Sequence, residues 1–561
     1  PTVCAKEWLP PFFYYYNAAF GGMQEVAMNH SQAEIQQAGE WMKGFLDTTL
    51  SFYRNMKQHS VVTQGNPAFP EKRGFETGGA ASARRKASHS PSAMQSFPTK
   101  KRQALTEKGW PAFPTKGWPV LPEKGQPTLP AKGRPAEEVF EEIRTVCSSG
   151  ALVQHPRCFA CVPSPVSPYS WMGDLMTNAF DHHAGCWANA PGAGFIERSL
   201  IEWMCGLAGY PETCGGIFVS GGSMANLTAL TAARDARLAP ADREQAVAYL
   251  SDQTHSSVIK GLHIIGFRQE QLRILPSDDD FRMDPSALAE AVQQDQKAGK
   301  KPFAVVATAG TTNTGSIDPL PEIAAVCRKF RLWMHVDGAY GASLLLSEQG
   351  RRLLSGIELS DSISWDAHKW MMQTYGCSVV LVRDQKNLLR SFSSHPEYLS
   401  DAGTNGSLPD FWDLGPELTR PARALKLWTT LQIVGTEHFA EMIDHGCRMA
   451  RFAQEEILKY PGWQIVSPAG QGVVCFRYAP EGMSGEECDT LNVRLAKELS
   501  DTGYAQILTT QLRGRRVLRM CTPNPETDEE DIRSTIALLN RPLRDMEEAE
   551  TAAAAAQASL L

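Results

Sequence analysis

Four short segments carry side chains whose types could do chemistry together. They are a glycine turn, SGGSMAN (residues 220–226), a histidine in SDQTHSS (His255), an aspartate in LWMHVDGAYGAS (Asp337) and a lysine in SWDAHKWM (Lys369). Each has an ordinary interpretation when it is taken alone: a turn without a ligand, a structural histidine, or a lysine whose charged end reaches solvent. Together they predict a phosphate-binding turn, an imidazole that faces a ring, a carboxylate and a nucleophilic amine.

The glycine turn follows a predicted strand and opens a predicted helix. Glycines let a backbone approach an anion closely, and the first N–H groups of a helix bind phosphate together with a hydroxyl such as that of Ser223. Gly222 and Ser223 are therefore the candidate phosphate ligands.

The aspartate and the lysine follow apolar, strand-like runs. Asp337 stands at the carboxyl end of a predicted parallel strand, where open α/β sheets bind ligands, and a carboxylate there needs a cationic partner. The small residues Gly338, Ala339 and Gly341 are expected to leave room for a flat ligand. Lys369 is flanked by tryptophan and methionine side chains, where desolvation favours the neutral, nucleophilic amine.

Pyridoxal phosphate is a cofactor that needs all of these groups. The lysine would hold it as a Schiff base, and the aspartate would keep its ring nitrogen protonated so that the ring accepts electrons. The sequence therefore predicts a pyridoxal-phosphate site in which Lys369, Asp337 and His255 are catalytic. It predicts no metal site, because the C-x-x-C pair Cys158 and Cys161 has no second ligand pair at a suitable spacing.

The elements that must position these residues alternate along the chain. Between about 195 and 385, helical patterns separate β-rich runs at 216–220, 246–251, 303–308, 332–337, 362–365 and 378–382. Such alternation predicts an α/β fold with a mostly parallel sheet and helices on both faces. After about 430, a helix at 437–460, strands at 473–478 and 517–521 and a final helix from Asp528 predict a smaller C-terminal α+β domain.

Composition divides the chain into five regions. We predict an N-terminal helical segment over 1–63, a disordered insertion over 64–134, a large cofactor-binding domain over 135–430, a small domain over 431–545 and a flexible tail over 546–561. The insertion is rich in Pro, Gly and Lys, and its octapeptide repeats, such as KGWPAFPT and KGWPVLPE, carry prolines that exclude regular helix or sheet. We interpret it as a linker, with a partner-binding motif as the alternative.

Bulk properties exclude several classes of partner. A net charge of −7 and a pI of about 6.1 give no reason to expect nucleic acid or an anionic membrane as a partner. No apolar run approaches the ~20 residues that span a bilayer. Thirteen cysteines, an odd number without a framework spacing, are typical of free thiols in a reducing cytosol. We therefore expect a cytoplasmic protein that acts on a small molecule.

The motifs HVDGAYGAS and DAHKW make the chain resemble the group II pyridoxal-dependent decarboxylases, which include aromatic-amino-acid, glutamate, cysteine-sulfinate and diaminobutyrate decarboxylases. The resemblance runs from about Pro135 to Asn540, and the separation of 32 residues between Asp337 and Lys369 matches the aromatic-amino-acid branch. It implies fold type I of the pyridoxal-phosphate enzymes, a homodimer with shared active sites, and a carbon–carbon lyase that removes the α-carboxylate of an amino acid. An aminotransferase or aldolase is the alternative enzyme class, and a non-catalytic scaffold that acts through the repeats is the alternative outside enzymes.

The resemblance implies a role for each matching residue around the cofactor ring. Lys369 would form the Schiff base and Asp337 would contact the ring nitrogen. Ala339 and His255 would lie against the two faces of the ring, and Thr312 matches a threonine near the ring hydroxyl.

The resemblance also implies contacts to the cofactor phosphate. Gly222 and Ser223 match the phosphate loop, and Asp366 stands where the aromatic branch has an asparagine near the phosphate. Because a carboxylate repels a phosphate dianion, Asp366 is expected to act through water or through His368.

Two segments, 155–164 and 187–197, match stretches that line the substrate entrance or complete a neighbouring subunit's site in the family. The candidate substrate residues are His155, Ser164, His183, Trp187, Phe411 and Arg519. His183 replaces an apolar or aromatic wall residue, which predicts a wider and more polar pocket. Arg519 matches an arginine that can hold a substrate carboxylate in members with acidic substrates, and a structural salt bridge is the alternative.

The predicted reaction is decarboxylation of an aromatic L-amino acid (tryptophan, tyrosine or Dopa) to its amine, with acidic and diamino acids left open. The family's mobile loop carries a tyrosine taken to protonate Cα, and a gap-free alignment back from ARALKLW places Phe411 there. In aromatic aldehyde synthases of this family, phenylalanine replaces that tyrosine, and the carbanion reacts with oxygen to give an aldehyde. Aldehyde formation is therefore the alternative, unless Tyr398 or His395 supplies the proton.

Overall fold

The computed structural model describes residues 130–147, 152–394 and 409–558, together with Lys43, and beyond residue 544 it describes the backbone alone. The predicted N-terminal segment apart from Lys43, nearly all of the predicted insertion, and the residues Tyr398 and His395 lie outside this description. The last helix continues to Ala558, so most of the predicted tail is helical, and its flexibility stays a prediction.

A seven-stranded sheet forms the centre of the larger domain. Its strands are Gly215–Val219 (β1), Ala246–Ser251 (β2), Leu272–Leu275 (β3), Lys301–Thr308 (β4), Trp333–Asp337 (β5), Ser362–Asp366 (β6) and Ser378–Val382 (β7). The strand order is β1-β7-β6-β5-β4-β2-β3, and neighbours are parallel except where β7 pairs with β1 and β6. The predicted mostly parallel sheet is confirmed; β3 was missed because four residues are too few to show a period.

The direction of the strands decides where a ligand can bind. Only β7 runs against the others within this sheet, so the carboxyl ends of β1, β2, β4, β5 and β6 lie at one edge. Strands β1, β2, β5, β6 and β7 are buried at every residue. Burial on both faces is why β1, β2, β5 and β7 are mostly apolar and do not alternate, whereas β6 (SISWD) keeps two buried serines.

Helices pack around both sheets. The α-helices of the described residues are Ala136–Cys147 (α1), Pro168–Phe180 (α2), Pro191–Leu207 (α3), Gly222–Arg237 (α4), Ser256–Ile264 (α5), Pro285–Lys297 (α6), Leu320–Phe330 (α7), Glu348–Leu353 (α8), Ala367–Trp370 (α9), Lys386–Phe392 (α10), Ala424–Val434 (α11), Thr436–Ile457 (α12), Gly485–Asp501 (α13) and Glu529–Ala558 (α14). Helix α4 crosses β4, β5, β6 and β7, and its first residue follows the carboxyl end of β1.

A four-stranded antiparallel sheet forms the smaller domain. Its strands are Trp463–Ser467 (β8), Val473–Tyr478 (β9), Leu508–Leu512 (β10) and Arg515–Cys521 (β11), in the order β10-β11-β9-β8. Helices α12, α13 and α14 pack on it around a second core that includes Phe476, Leu495 and Ile536. The predicted C-terminal α+β domain is confirmed. The boundary predicted at residue 430 falls within α11, and the helix breaks at Gly435, whose φ of 83° favours glycine.

Candidate active site

Lys369 lies in α9, the short helix that directly follows β6. Its Nζ is 3.1 Å from Oδ2 of Asp366, a buried carboxylate, and the lysine side chain is 23% exposed. The desolvation predicted from the sequence is therefore partial. The amine also has a carboxylate partner, which the sequence-based reasoning did not include.

His368 contacts the same carboxylate. Its Nε2 is 3.7 Å from Oδ2 of Asp366, and its Nδ1 is 3.2 Å from Oγ of Ser378. Burial lowers the pKa of His368, and the attraction of Asp366 opposes that shift without reversing it. The imidazole is therefore neutral near pH 7. The contact is compatible with the expectation that Asp366 acts through His368, which stays a prediction.

The candidate phosphate loop lies at the start of α4. Gly222 is the first residue of the helix, no side chain caps it, and Ser223 is exposed. A Cβ on Gly222 would lie 2.6 Å from Oδ2 of Asp366, so this turn requires glycine. The uncapped N–H groups of the first turn fit a phosphate. Oδ1 of Asp366 has no hydrogen-bond partner among the described residues, so it can accept a further hydrogen bond.

Asp337 ends β5 and is 5% exposed. Its Oδ2 accepts a hydrogen bond from Nδ2 of Asn226 at 3.0 Å, and its Oδ1 accepts from Oγ of Ser364 at 3.1 Å and from the backbone N of Ala339 at 3.2 Å. These donors are neutral, and Asp337 forms no ion pair within the described ranges. A buried carboxylate is costly without a cation. A protonated ring nitrogen would supply the positive partner that Asp337 lacks among the described residues. This part of the site therefore fits pyridoxal phosphate.

The glycines that follow Asp337 serve chain packing. A Cβ on Gly341 would lie 2.4 Å from the carbonyl oxygen of Ala309, and a Cβ on Gly338 would lie 2.9 Å from its nearest side-chain atom. The room that these glycines were predicted to leave for a ligand is therefore occupied by protein atoms.

His255 lies after the end of β2 and directly before α5, which agrees with its predicted position after a strand. Its Nδ1 accepts a hydrogen bond from the backbone N of Ser257 at 3.2 Å and is 2.7 Å from Oγ of the same serine. That hydroxyl accepts from Nδ2 of Asn226 at 3.2 Å. His255 and Asp337 are thus joined through Asn226, a residue that the sequence analysis did not assign. A signal existed, since Asn226 lies one helical turn after Gly222 and therefore on the same helix face.

Arg519 joins two segments near the site. Its Nη1 donates to the carbonyl oxygen of Thr312 at 2.8 Å, and its Nη2 donates to the carbonyl oxygen of Ala160 at 2.7 Å. Thr312, in the turn after β4, is exposed. The salt bridge expected as the alternative to substrate binding does not occur among the described residues, since two main-chain oxygens hold the guanidinium. These contacts join the turn after β4 to the segment 155–164.

The segment 155–164 connects the small domain with Lys369. Phe159 is buried in the core of the small domain. At the other end, Ser164 donates to the carbonyl oxygen of Lys369 from its backbone N at 2.8 Å and from its Oγ at 2.6 Å. His155 is fully buried, and its Nδ1 accepts a backbone hydrogen bond at 3.0 Å. The fold thus brings Ser164 to Lys369, whereas the contacts of His155 stabilise the segment itself.

His183, Trp187 and Phe411 belong to a separate cluster. The rings of Trp187 and Phe411 are 5.5 Å apart, and the ring of His183 meets Trp412 edge-on at 5.9 Å. The backbone N of Trp187 donates to Asp410 at 2.9 Å. These three predicted substrate residues are therefore brought together with residues 410–412.

Phe411 is a buried packing residue. The guanidinium of Arg420 lies 5.4 Å from the centre of its ring, and a Cβ on Gly194 would lie 3.2 Å from the ring. The ring of Phe411 is enclosed by Trp187, Gly194 and Arg420 in the protein core. Its match to the loop tyrosine of the family stays a prediction.

The described part of the chain offers neither a metal site nor a membrane-spanning helix. It contains no group of three or more His, Cys, Asp and Glu side chains that could hold a metal ion. Cys158 and Cys161 are free thiols. No described helix is both long and apolar enough to cross a bilayer.

The chain is similar to several known proteins. The model of the pyridoxal-dependent decarboxylase conserved domain matches residues 121–479. An aromatic-L-amino-acid decarboxylase of Bacillus atrophaeus is 41% identical over 383 residues, which are 68% of this chain and 79% of that protein. A phenylacetaldehyde synthase of Arabidopsis thaliana is 31% identical over 410 residues, 71% of this chain and 84% of that protein.

Solved structures give the same result. A crystal structure of Oryza sativa TDC with PLP and tryptamine matches with a TM-score of 0.77 and 26% identity, and the match covers 93% of this chain and 100% of that one. The fold type I expected from the resemblance is thereby confirmed. With the matches to the family model and to the curated relatives, the chain belongs to the pyridoxal-dependent decarboxylases, and its cofactor is pyridoxal phosphate.

Proposed function

We propose that this chain removes the α-carboxylate of an aromatic L-amino acid and releases the amine, with Lys369 holding the cofactor. The observation that carries the proposal is the buried carboxylate of Asp337, which has three neutral donors but no cation, at the same sheet edge as Lys369 and the start of α4. When bound, pyridoxal phosphate supplies an electron-accepting ring that stabilises the carbanion left by loss of carbon dioxide.

The roles that we propose are specific to single side chains. Lys369 would hold the cofactor through its Nζ, and Asp366, whose Oδ2 is 3.1 Å away, would stabilise that lysine when it is charged. Asp337 would hold the ring nitrogen, His255 would face the ring, and Gly222 would let the first turn of α4 approach the phosphate. The remaining cofactor contacts that we propose are Ser223, Thr312, Ala339 and His368.

Three observations favour an aromatic substrate over an acidic one. The motif spacing matches the aromatic branch, and the Bacillus relative is an aromatic-L-amino-acid decarboxylase. A second carboxylate would need a cation, and two nitrogens of Arg519 already donate to Thr312 and Ala160.

The proposed product is the amine. The argument for an aldehyde depends on Phe411 at the position of the loop tyrosine, whereas we propose that Phe411, whose ring is buried in the core, has a packing role. We propose Tyr398, which lies outside the described residues, as the group that protonates Cα. Similarity to a phenylacetaldehyde synthase makes the aldehyde the second candidate.

A product assay tests this proposal directly. Purified, cofactor-loaded protein is incubated with the proteinogenic amino acids, Dopa and diaminobutyrate, and products are identified by mass spectrometry beside a peroxide probe. We expect amine without peroxide from an aromatic substrate. Aldehyde with ammonia and peroxide would overturn the proposed product, amine from an acidic or diamino acid alone would overturn the substrate class, and no turnover would overturn the activity.

The variants Tyr398→Phe and Phe411→Tyr separate the two candidate loop positions. Loss of a general acid lowers a rate by about 10²–10⁴-fold. We therefore expect Tyr398→Phe to slow amine formation by about 10²-fold or more and to yield aldehyde and peroxide. Phe411→Tyr is expected to leave the product unchanged and to lower stability, since it puts a hydroxyl in a packed core. If the wild type forms aldehyde and only Phe411→Tyr abolishes it, residue 411 and not Tyr398 is the position that decides the product.

We also propose that two copies of this chain associate and share their active sites. On α2, Met172, Leu175, Met176 and Phe180 share one helix face and are 51–57% exposed, an apolar stripe that a soluble surface seldom leaves uncovered. Sedimentation velocity should give the mass of a dimer for the wild type and of a monomer for Met172→Glu/Met176→Glu. A wild-type monomer with full activity would contradict the shared site.

The cytoplasmic location also remains a proposal. The cysteines of the described residues are free thiols, and burial raises the pKa of several of them, including Cys158 to about 12. Unpaired thiols in this number are typical of a reducing compartment.

A further inference from the structure

The side-chain amide of Asn226 makes three hydrogen bonds in the interior beside the site. Asn226 lies in α4 and is buried. Its Nδ2 donates to Oδ2 of Asp337 at 3.0 Å and to Oγ of Ser257 at 3.2 Å, and its Oδ1 is 2.9 Å from Nε2 of His335. One amide therefore contacts residues of both β5 and α5.

The protonation of His335 fixes the direction of these bonds. His335 is fully buried, and burial lowers its pKa to about 4 although Asp337 opposes the shift. The neutral ring has one N–H. Nε1 of Trp333 donates to Oγ of Ser362 at 2.8 Å, so that the serine proton is directed to Nδ1 of His335, also at 2.8 Å. Nε2 then carries the ring proton and donates to Asn226.

Because Nε2 of His335 donates, the side-chain amide of Asn226 can take only one of its two orientations. A flipped amide would place its NH₂ group against the N–H of His335 and its oxygen against the carboxylate of Asp337. In the observed orientation both amide hydrogens are used, one by Asp337 and one by Ser257. The backbone N–H of Ser257 donates to Nδ1 of His255, so this ring nitrogen acts as an acceptor.

The partners of Asn226 differ from those of an ordinary buried asparagine. Asn492, in α13, is also buried and makes three hydrogen bonds, with the backbone of Tyr478 (2.9 and 2.8 Å) and of Cys488 (2.7 Å). All three partners of Asn226 are side chains, although side chain–side chain bonds are a small share of protein hydrogen bonds. Asn492 fastens a helix to a strand, whereas Asn226 fastens functional side chains to one another.

We propose that Asn226 is a positioning residue whose single amide sets the orientation of both Asp337 and His255 toward the cofactor ring. The inference rests on the proposed roles of these two residues. Among the described residues, the buried side chain of Asp337 accepts from three neutral donors, and Asn226 supplies the donor to Oδ2. Without that donor, the carboxylate is less well held for the ring nitrogen, and the imidazole loses the link that fixes Ser257.

The test uses Asn226→Leu and the smaller Asn226→Ala, with Asn492→Leu as the matched control. Loss of one hydrogen bond to a charged group corresponds to about a tenfold change in an equilibrium constant. We expect both Asn226 variants to raise the Kd of pyridoxal phosphate by about this factor, to weaken the visible circular dichroism of the bound cofactor, and to lower kcat more than they change KM. Asn492→Leu should lower the thermal unfolding midpoint of the apoprotein and leave the cofactor signals unchanged.

The outcomes separate this inference from the proposed function. If the Asn226 variants shift the cofactor Kd and circular dichroism no more than Asn492→Leu does, the positioning role is refuted. Asp337→Asn is measured in parallel. If it leaves the cofactor signals at wild-type values, the proposed role of Asp337 fails and the inference fails with it. If Asp337→Asn shifts them and Asn226→Leu and Asn226→Ala do not, the inference alone fails.

Discussion

Replacement of Lys369 by arginine is expected to abolish covalent attachment of the cofactor and to lower kcat by about 10²–10⁴-fold, the range for loss of a positioned reacting group. Arginine keeps a positive charge beside the buried Asp366 but cannot lose its proton, so the fold is largely spared. Lys369→Ala removes the charge as well, leaves Asp366 without its ion-pair partner, and should therefore also be less stable. Borohydride reduction followed by peptide mass spectrometry locates the attachment site.

Lys426→Ala is the matched control for this experiment. Lys426 is a buried lysine that, like Lys369, has an aspartate partner, since its Nζ is 2.8 Å from Asp174. Its loss should lower stability and leave the adduct on Lys369. An adduct on another lysine in the wild type, or undiminished turnover by Lys369→Arg, would refute the assignment of Lys369.

Replacement of Arg420 by methionine is expected to lower the free energy of unfolding by about 3–5 kcal/mol, as breaking a buried ion pair does. The fully buried guanidinium donates to both carboxylate oxygens of Glu197 at 2.7 and 2.9 Å and to the carbonyl oxygens of Ala184 and Phe218. It thereby joins α3, β1 and the segment that carries His183. We expect the thermal unfolding midpoint to fall by about 5–10 °C.

Two further variants are controls for the stability of Arg420→Met. Arg198→Met removes an exposed pair on the same helix, with Glu202 at 2.7 Å and side chains 46% and 59% exposed, and should cost less than about 1 kcal/mol. The double variant Glu197→Leu/Arg420→Met should recover part of the loss, because it leaves no unpaired charge. Equal thermal unfolding midpoints for Arg420→Met and Arg198→Met would show that the buried ion pair stabilises the protein no more than the exposed pair does.

The sheet and the strand-end residues could be predicted because their signals are local. A strand that is buried on both faces is a continuous apolar run, and β2, β7 and β9 match the predicted bounds residue for residue. Asp337 and Lys369 stand where such runs end, so the strand direction placed them at one edge. The predicted α/β fold and the smaller α+β domain follow from the same signals.

What could not be predicted depends on contacts between distant parts of the chain. The bond between Asn226 and Asp337 joins residues 111 positions apart and exists only because α4 crosses β5. The burial of Phe411 could not be predicted, because sequence spacing through a loop does not report it. The pair of Asp366 and Lys369, by contrast, lies within one helical turn and could have been read from its spacing.

The link between the small domain and Lys369 determines when the site can form during synthesis of the chain. Phe159 is bonded through its backbone to Gln506 and Cys521, and the nearby bond from Arg157 to Tyr504 spans 347 residues. While the ribosome is still making β10 and β11, Lys369 has already emerged, but the segment that carries Ser164 to it has no partner strand. Contacts of such long range form late in folding, so we expect a nascent chain to capture its cofactor in a finished site only after β11 has been synthesised.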